Sequence, residues 1–187
     1  MKLNLGCGSK AIEGFLNVDK YATSATDVVF DLEKTPWPWL TDSVEEVRFI
    51  HSLEHMGQDT DTYLNIIRET YRVCSNQASV VIHAPHPRHD NYLGDPTHVR
   101  PITPQSLTLF DRVKNNEWLA GGISAATPLA LYIGVDFFIA GMITILDPVY
   151  YEKFVNGLFS EDEINQMARE RNNVISDYQI TLMARKP

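Results

Sequence analysis

Short apolar runs, separated by connections rich in glycine, proline or charge, recur through the first half of the chain and predict strands. Five stand out: residues 3–5, residues 15–19 (Phe15-Leu16-Asn17-Val18-Asp19), residues 27–31, residues 44–50 and residues 79–84. The last is continuously apolar, as expected of a strand covered on both faces. Between the fourth and fifth runs, Tyr63, Leu64, Ile67 and Tyr71 share one helical face. With Asp59 or Thr60 as N-cap, they predict a helix to about residue 74. Between Gly8 and Phe15 only residues 9–14 intervene, too few for more than about one helical turn. The first crossover helix of a parallel sheet is therefore shortened or missing. Residues 33–39, with Pro36 and Pro38 between Thr35, Trp37 and Trp39, read as a loop, because proline has no N–H to give a ladder.

The second half changes character. Residues 85–101 hold three histidines, two aspartates, two arginines and four prolines. Thr103 then caps a predicted helix with Pro104 at its first position, running to about residue 113. Residues 135–146 and 174–183 read as the last strands, with Ile175, Tyr178, Ile180 and Leu182 marking an edge hairpin. Between them Ser160 and Glu163 form a capping box over residues 161–171. Strands alternating with helices predict an α/β fold with a mostly parallel sheet and an antiparallel C-terminal hairpin.

The 187 residues suit one domain, residues 1–187, and 44% hydrophobic against 21% charged residues is ordinary globular composition. A formal charge of -8 with no basic stripe argues against a nucleic-acid partner. Two cysteines, Cys7 and Cys74, are too few for a disulfide framework, and the chain enters its first strand without a secretory signal pattern, so a cytoplasmic setting is expected. Residues 118–135 are uncharged for 18 positions, but Gly121, Gly122, Ser124, Pro128 and Gly134 interrupt them, so a buried hairpin or helix is expected rather than a membrane span.

Chemistry enters with Gly6-Cys7-Gly8, directly after the first apolar run. Glycines there let backbone N–H groups approach a ligand closely. Gly6-Cys7-Gly8-Ser9-Lys10-Ala11 also fits the relaxed dinucleotide pattern G-x-G-x-x-G/A, so the next acidic strand end must decide. That residue is Asp19, placed to accept two ribose hydroxyls and lying only 11 residues after Gly8. A dinucleotide fold usually needs about 20 residues there.

Four ordered blocks, LNLGCGSK, GFLNVDKY, VVFDLEKTPWPW and VEEVRFIHSLEHM, carry a resemblance over residues 3–56. In them the chain resembles the class I S-adenosylmethionine-dependent methyltransferases, most closely the compact bacterial-type branch. The resemblance implies a Rossmann-like sheet of about seven strands and S-adenosyl-L-methionine as cofactor. It implies cofactor contacts from Leu5, Gly6, Cys7, Gly8, Asp19, Lys20, Asp31, Leu32 and His51, with Asp31 on the adenine amino group and the Leu32 N–H on a ring nitrogen. At Asn4 many family members carry an acidic residue instead. No N-P-P-Y-like signature follows the fourth strand, which together with the acidic charge argues against methylation of DNA bases; a small-molecule or glycan-type acceptor is expected.

Other residues keep two readings open. Trp37 and Trp39 either wall the ligand or plug the core. His51-Ser52-Leu53-Glu54-His55 matches H-x-x-E-H, the zinc motif of one hydrolase class when it lies on a helix, although the preceding strand and Gly57 leave little room for one. His86, His89, Asp90, Asp95, His98 and Arg100 cluster after the fifth strand, where ligands sit in open α/β sheets. They make either a polar lid on an acceptor, within a lid region of about residues 85–150, or a pinned surface loop. Methyl transfer to a hydroxyl or protonated amine needs a base, and His51, His86 and His89 are the candidates. A cofactor-binding module without turnover is the remaining alternative.

Overall fold

The computed structural model describes residues 1–123 and 126–186. Seven strands form one sheet: β1 (Lys2–Leu5), β2 (Leu16–Asp19), β3 (Val28–Val29), β4 (Val44–Ile50), β5 (Cys74–Pro85), β6 (Phe137–Leu146) and β7 (Ile175–Ala184). Their order is β3-β2-β1-β4-β5-β7-β6. β1 to β5 run parallel, while β7 is antiparallel to both β5 and β6. The chain moves outward from β1 through β2 to β3, then returns to the other side of β1 for β4. A crevice opens at such a reversal, outside the strands' carboxyl ends.

The central strands carry the core, with Leu3, Leu5, Val18, Val47, Phe49, Val80, Ile82 and Ile180 all but excluded from solvent. Helix α1 (Thr60–Val73) covers one face, capped by the Asp59 carboxylate accepting the Thr62 N–H. No helix forms between β1 and β2. A side-chain network replaces it: Asn17 Oδ1 accepts from Asn4 Nδ2 and from the Ile12 N–H, while Asp27 Oδ2 accepts from both the Asn17 N–H and Asn17 Nδ2. These bonds hold residues 9–15 against the sheet.

Three expectations need correction. β7 is not an edge strand, because β6 adds outside it and makes the edge. The expected helix over residues 104–113 is broken in two, α3 (Pro104–Thr108) and α4 (Arg112–Ala120), since the Asp111 carboxylate accepts the Val113 and Lys114 N–H groups and starts a new helix there. The third strand shrinks to two residues. Helices α2 (Asp90–Leu93), α5 (Leu129–Ile133) and α6 (Pro148–Val155) carry no periodicity long enough to read, whereas α7 (Glu161–Glu170) has the expected capping box. In the uncharged stretch, Ser124 lies outside the described residues. Among those described, no helix is long and apolar enough to cross a membrane.

Trp37 and Trp39 are buried core residues. Their loop is tied to α1: Glu69 accepts the Trp37 N–H, and Arg72 donates to the carbonyls of Trp37 and Trp39 while pairing with Glu69 at 2.7 Å. Arg72 is the main cause holding the Glu69 carboxyl below the usual glutamate range. That lowered value contributes stability above the unfolded-state pKa, which is lost as pH falls through the folded one. Glu69→Ala is expected to cost about 2–4 kcal/mol at neutral pH by urea denaturation. The difference from wild type should shrink on acidification; a constant difference would rule out the ionic origin.

Candidate active site

A cleft of about 520 Å³ opens at the sheet reversal, a size typical of small-molecule sites. Gly6 (φ 72°) and Gly8 (φ 53°) turn the chain out of β1 in left-handed backbone. Gly6 and Cys7 both donate N–H to the Val18 carbonyl, at 2.8 and 3.0 Å, which clamps the turn to β2. Across the turn, Ser52 Oγ donates to the Leu5 carbonyl at 2.8 Å. A Cβ on Gly6 would lie 2.5 Å from Ser52 Cβ, so only glycine fits.

Asp19 ends β2 facing the cleft. Its two oxygens accept the N–H groups of Gly8 (2.8 Å) and Tyr21 (2.9 Å), which orients the carboxylate while leaving lone pairs for a ligand. Lys20 lines the same wall. Farther along, Phe30, Asp31 and Leu32 line the next wall. Asp31 accepts the Glu33 N–H at 3.2 Å, and among the described residues no protein acceptor meets the Leu32 N–H. Phe30 is backed edge-on by Trp39 at 6.0 Å, so the tryptophans support the wall from the core side.

Among solved structures, the chain is similar to an S-adenosylmethionine-dependent methyltransferase from Archaeoglobus fulgidus, with 20% identity over 97% of this chain and 85% of that one at a TM-score of 0.61. It is also similar to one from Methanosarcina mazei, with 13% identity over 100% and 92% of the two chains at a TM-score of 0.54. The fold is that of the S-adenosylmethionine-dependent methyltransferases. The cyclase SpnF shares it as well, at 12% identity over 100% of this chain and 75% of that one and a TM-score of 0.51. No family model matches the sequence, and no curated protein does. The methyltransferase fold thus supports more than one chemistry, and the cleft residues must carry the functional reading.

Of the residues singled out in the sequence, Gly6, Gly8, Asp19, Lys20, Asp31, Leu32 and His51 meet around the cleft. Cys7 lines a smaller adjoining cavity of about 330 Å³ with Asn4, Ser9 and Lys10. Leu5 is fully buried and contributes its carbonyl. Asn4 is spent on the Asn17 network rather than on the cleft. His86 and His89 line neither cavity. His86 Nδ1 accepts the Arg88 N–H and its ring packs on Tyr178, whereas His89 caps α2 through the Asn91 N–H and meets Asp147 at 3.2 Å.

The H-x-x-E-H residues do not share an α-helix. His51 leaves β4 in left-handed backbone (φ 50°), and only Leu53–His55 form a one-turn 3-10 helix. His51 instead packs against His83, with ring centroids 4.3 Å apart, while His55 packs against His98 at 4.5 Å. Glu54 lies fully buried between these groups, its Oε1 3.7 Å from His51 Nδ1. The Glu54 carboxylate beside it is the main cause raising the His51 pKa above the usual histidine value, whereas burial lowers that of His83. His83 and Asp177 were missed in the sequence. No local pattern marks them, because β5 and an antiparallel β7 nearly a hundred residues later bring them together.

Proposed function

We propose that this chain is a methyltransferase that binds S-adenosyl-L-methionine and methylates a hydroxyl or similar nucleophile on a small-molecule or glycan-type acceptor. The observation carrying this reading is the alignment of the glycine turn, Asp19 and Asp31-Leu32 along one cleft at the sheet reversal. The fit is chemical as well as spatial. Asp19 offers paired acceptors for vicinal ribose hydroxyls, and Asp31 with the Leu32 N–H offers an acceptor and a donor for an adenine edge beside the Phe30 ring. The cofactor, when bound, supplies an electrophilic methyl group on a sulfonium.

The chain's own residues then bind and orient. His51, at the end of β4, presents its half-exposed imidazole to the acceptor, and buried Glu54 and Asp177 hold that imidazole from both sides. Of residues 85–101, Thr97 reaches the cleft rim, beside the place of the acceptor. The acidic charge of -8 favours acceptors without a phosphate backbone. The two buried free thiols, Cys7 and Cys74, suit a reducing cytoplasm.

Calorimetric titration with S-adenosylmethionine, S-adenosylhomocysteine and NAD tests the reading. Micromolar binding of the first two, about -8 kcal/mol, with none for NAD, is the expected result; the reverse selectivity would sink it. Once an acceptor panel yields turnover, His51→Asn, which tolerates the left-handed backbone, should lower kcat by about 100-fold or more. Cofactor affinity should change less than about tenfold. Loss of affinity alone would assign His51 to binding only.

A further inference from the structure

We infer that His51, His83 and Asp177 form a binding site for one divalent first-row transition metal ion. Three elements deliver the donors: the end of β4, the interior of β5 and the start of β7. They are locked together by the sheet, since the His51 N–H donates to the His83 carbonyl at 2.8 Å and Asp177 pairs with Pro85 two residues along. His51 Nε2 and His83 Nε2 each lie 3.9 Å from the same Asp177 Oδ1, and the three donor atoms all fall within 4.8 Å of one another. An ion with bonds of about 2.1 Å in tetrahedral geometry spans donors about 3.4 Å apart. Each histidine nitrogen therefore needs to move about half an ångström nearer Asp177, within reach of side-chain rotation.

Unpartnered polar atoms point the same way. His83 Nε2 is buried without a hydrogen-bond partner, and so are both oxygens of Glu54. The Glu54 side chain is 1% exposed and sits behind His51, with Oε1 3.7 Å from Nδ1. A buried carboxylate with no donor is costly unless positive charge compensates it. A carboxylate behind an imidazole whose other nitrogen faces an ion is the usual outer support of a metal-bound histidine. Two imidazoles with one carboxylate favour zinc, manganese, iron or cobalt over magnesium and calcium, which prefer all-oxygen sites. His51 opens this cluster to the cleft, leaving coordination positions on that side.

The role of the ion, though not its binding, rests on the methyltransferase reading. A divalent ion there, rather than the His51 imidazole itself, activates the acceptor by lowering the pKa of a hydroxyl placed against it. The proton leaves to solvent, the oxygen lone pair forms its bond to the methyl carbon, and the carbon–sulfur bond breaks onto sulfur.

The test is titration of chelator-treated protein with Co²⁺ followed by visible absorption and with Zn²⁺ by calorimetry, with S-adenosylhomocysteine titrated separately into the same samples. One equivalent of metal is expected, weakened roughly 100-fold or more in His83→Gln and in Asp177→Asn, with S-adenosylhomocysteine affinity unchanged in both. Absence of binding to the wild type overturns the proposal. Binding that survives both substitutions also overturns it, including binding lost only in His98→Gln, which would place the ion at the neighbouring Glu54, His55 and His98 cluster. If either variant fails to fold by circular dichroism, electron spin-echo spectra of Mn²⁺-loaded wild type decide. Coupling to two histidine nitrogens that persists in His98→Gln supports the site, and its absence or its loss in His98→Gln overturns it. Metal binding without S-adenosylhomocysteine binding would leave the site standing and remove the methyltransferase reading, and the opposite pattern would do the reverse.

Discussion

Asp19→Ala is expected to reduce S-adenosylhomocysteine affinity by about 100- to 10,000-fold while the protein stays folded. In the proposed function the carboxylate offers charged acceptors to two ribose hydroxyls, and hydrogen bonds to a charged group contribute about 1.5–3 kcal/mol each. It also orders the turn by accepting the Gly8 and Tyr21 N–H groups. Those donors face the open cleft, so water replaces the lost carboxylate and stability should fall by only about 1 kcal/mol. Asp19→Asn keeps one acceptor oxygen without the charge and should fall between the two. Calorimetry beside a urea titration separates these effects. An Asp19→Ala protein that binds within threefold of wild type would remove Asp19 from the site.

Gly6→Ala should remove both cofactor binding and about 2–4 kcal/mol of stability. Gly6 has φ 72°, and its new methyl would lie 2.5 Å from Ser52 Cβ and 3.2 Å from the Met56 methyl. Met56 has a flexible end. Ser52 does not yield so easily, because it is buried and its hydroxyl holds the Leu5 carbonyl. The turn must therefore lift from Val18, breaking the clamp that holds it along the cleft. Gly6→Ala combined with Ser52→Gly should recover part of the stability, since the clash is with Cβ itself, whereas Ser52→Ala should recover none. A Gly6→Ala protein with unchanged urea midpoint would show that the turn is softer than this packing implies.

The readable features were those set by local physics. Asp59, Thr103 and Ser160 each cap a helix, since a side-chain oxygen three residues before an N–H determines a start irrespective of the rest of the fold. The buried parallel strands announced themselves as apolar runs, and Gly6, Gly8 and Asp19 combined a backbone requirement with a charge at a strand end. The helix over residues 104–113 is broken for an equally local reason, because Asp111 caps a second helix and so competes with continuation of the first. The tryptophans illustrate a limit: bulk and polarity are the same for a ligand wall and a core plug, and Glu69 and Arg72 decide between them from α1.

The sequence by itself determined the alternation of strands and helices, the turn after β1 and the residues on the first two walls of the cleft, all of which depend on neighbours close in the chain. Tertiary structure alone decided the rest. His86 and His89, attractive as bases, are engaged away from the cleft by Arg88, Tyr178 and Asp147. His51 and His55 parted because left-handed backbone at His51 sent their rings to different partners. Asp177 reached His51 and His83 only through antiparallel pairing of β7 with β5. Such contacts depend on strand order and register, which are fixed by burial of the whole sheet and leave no mark at any single position in the chain.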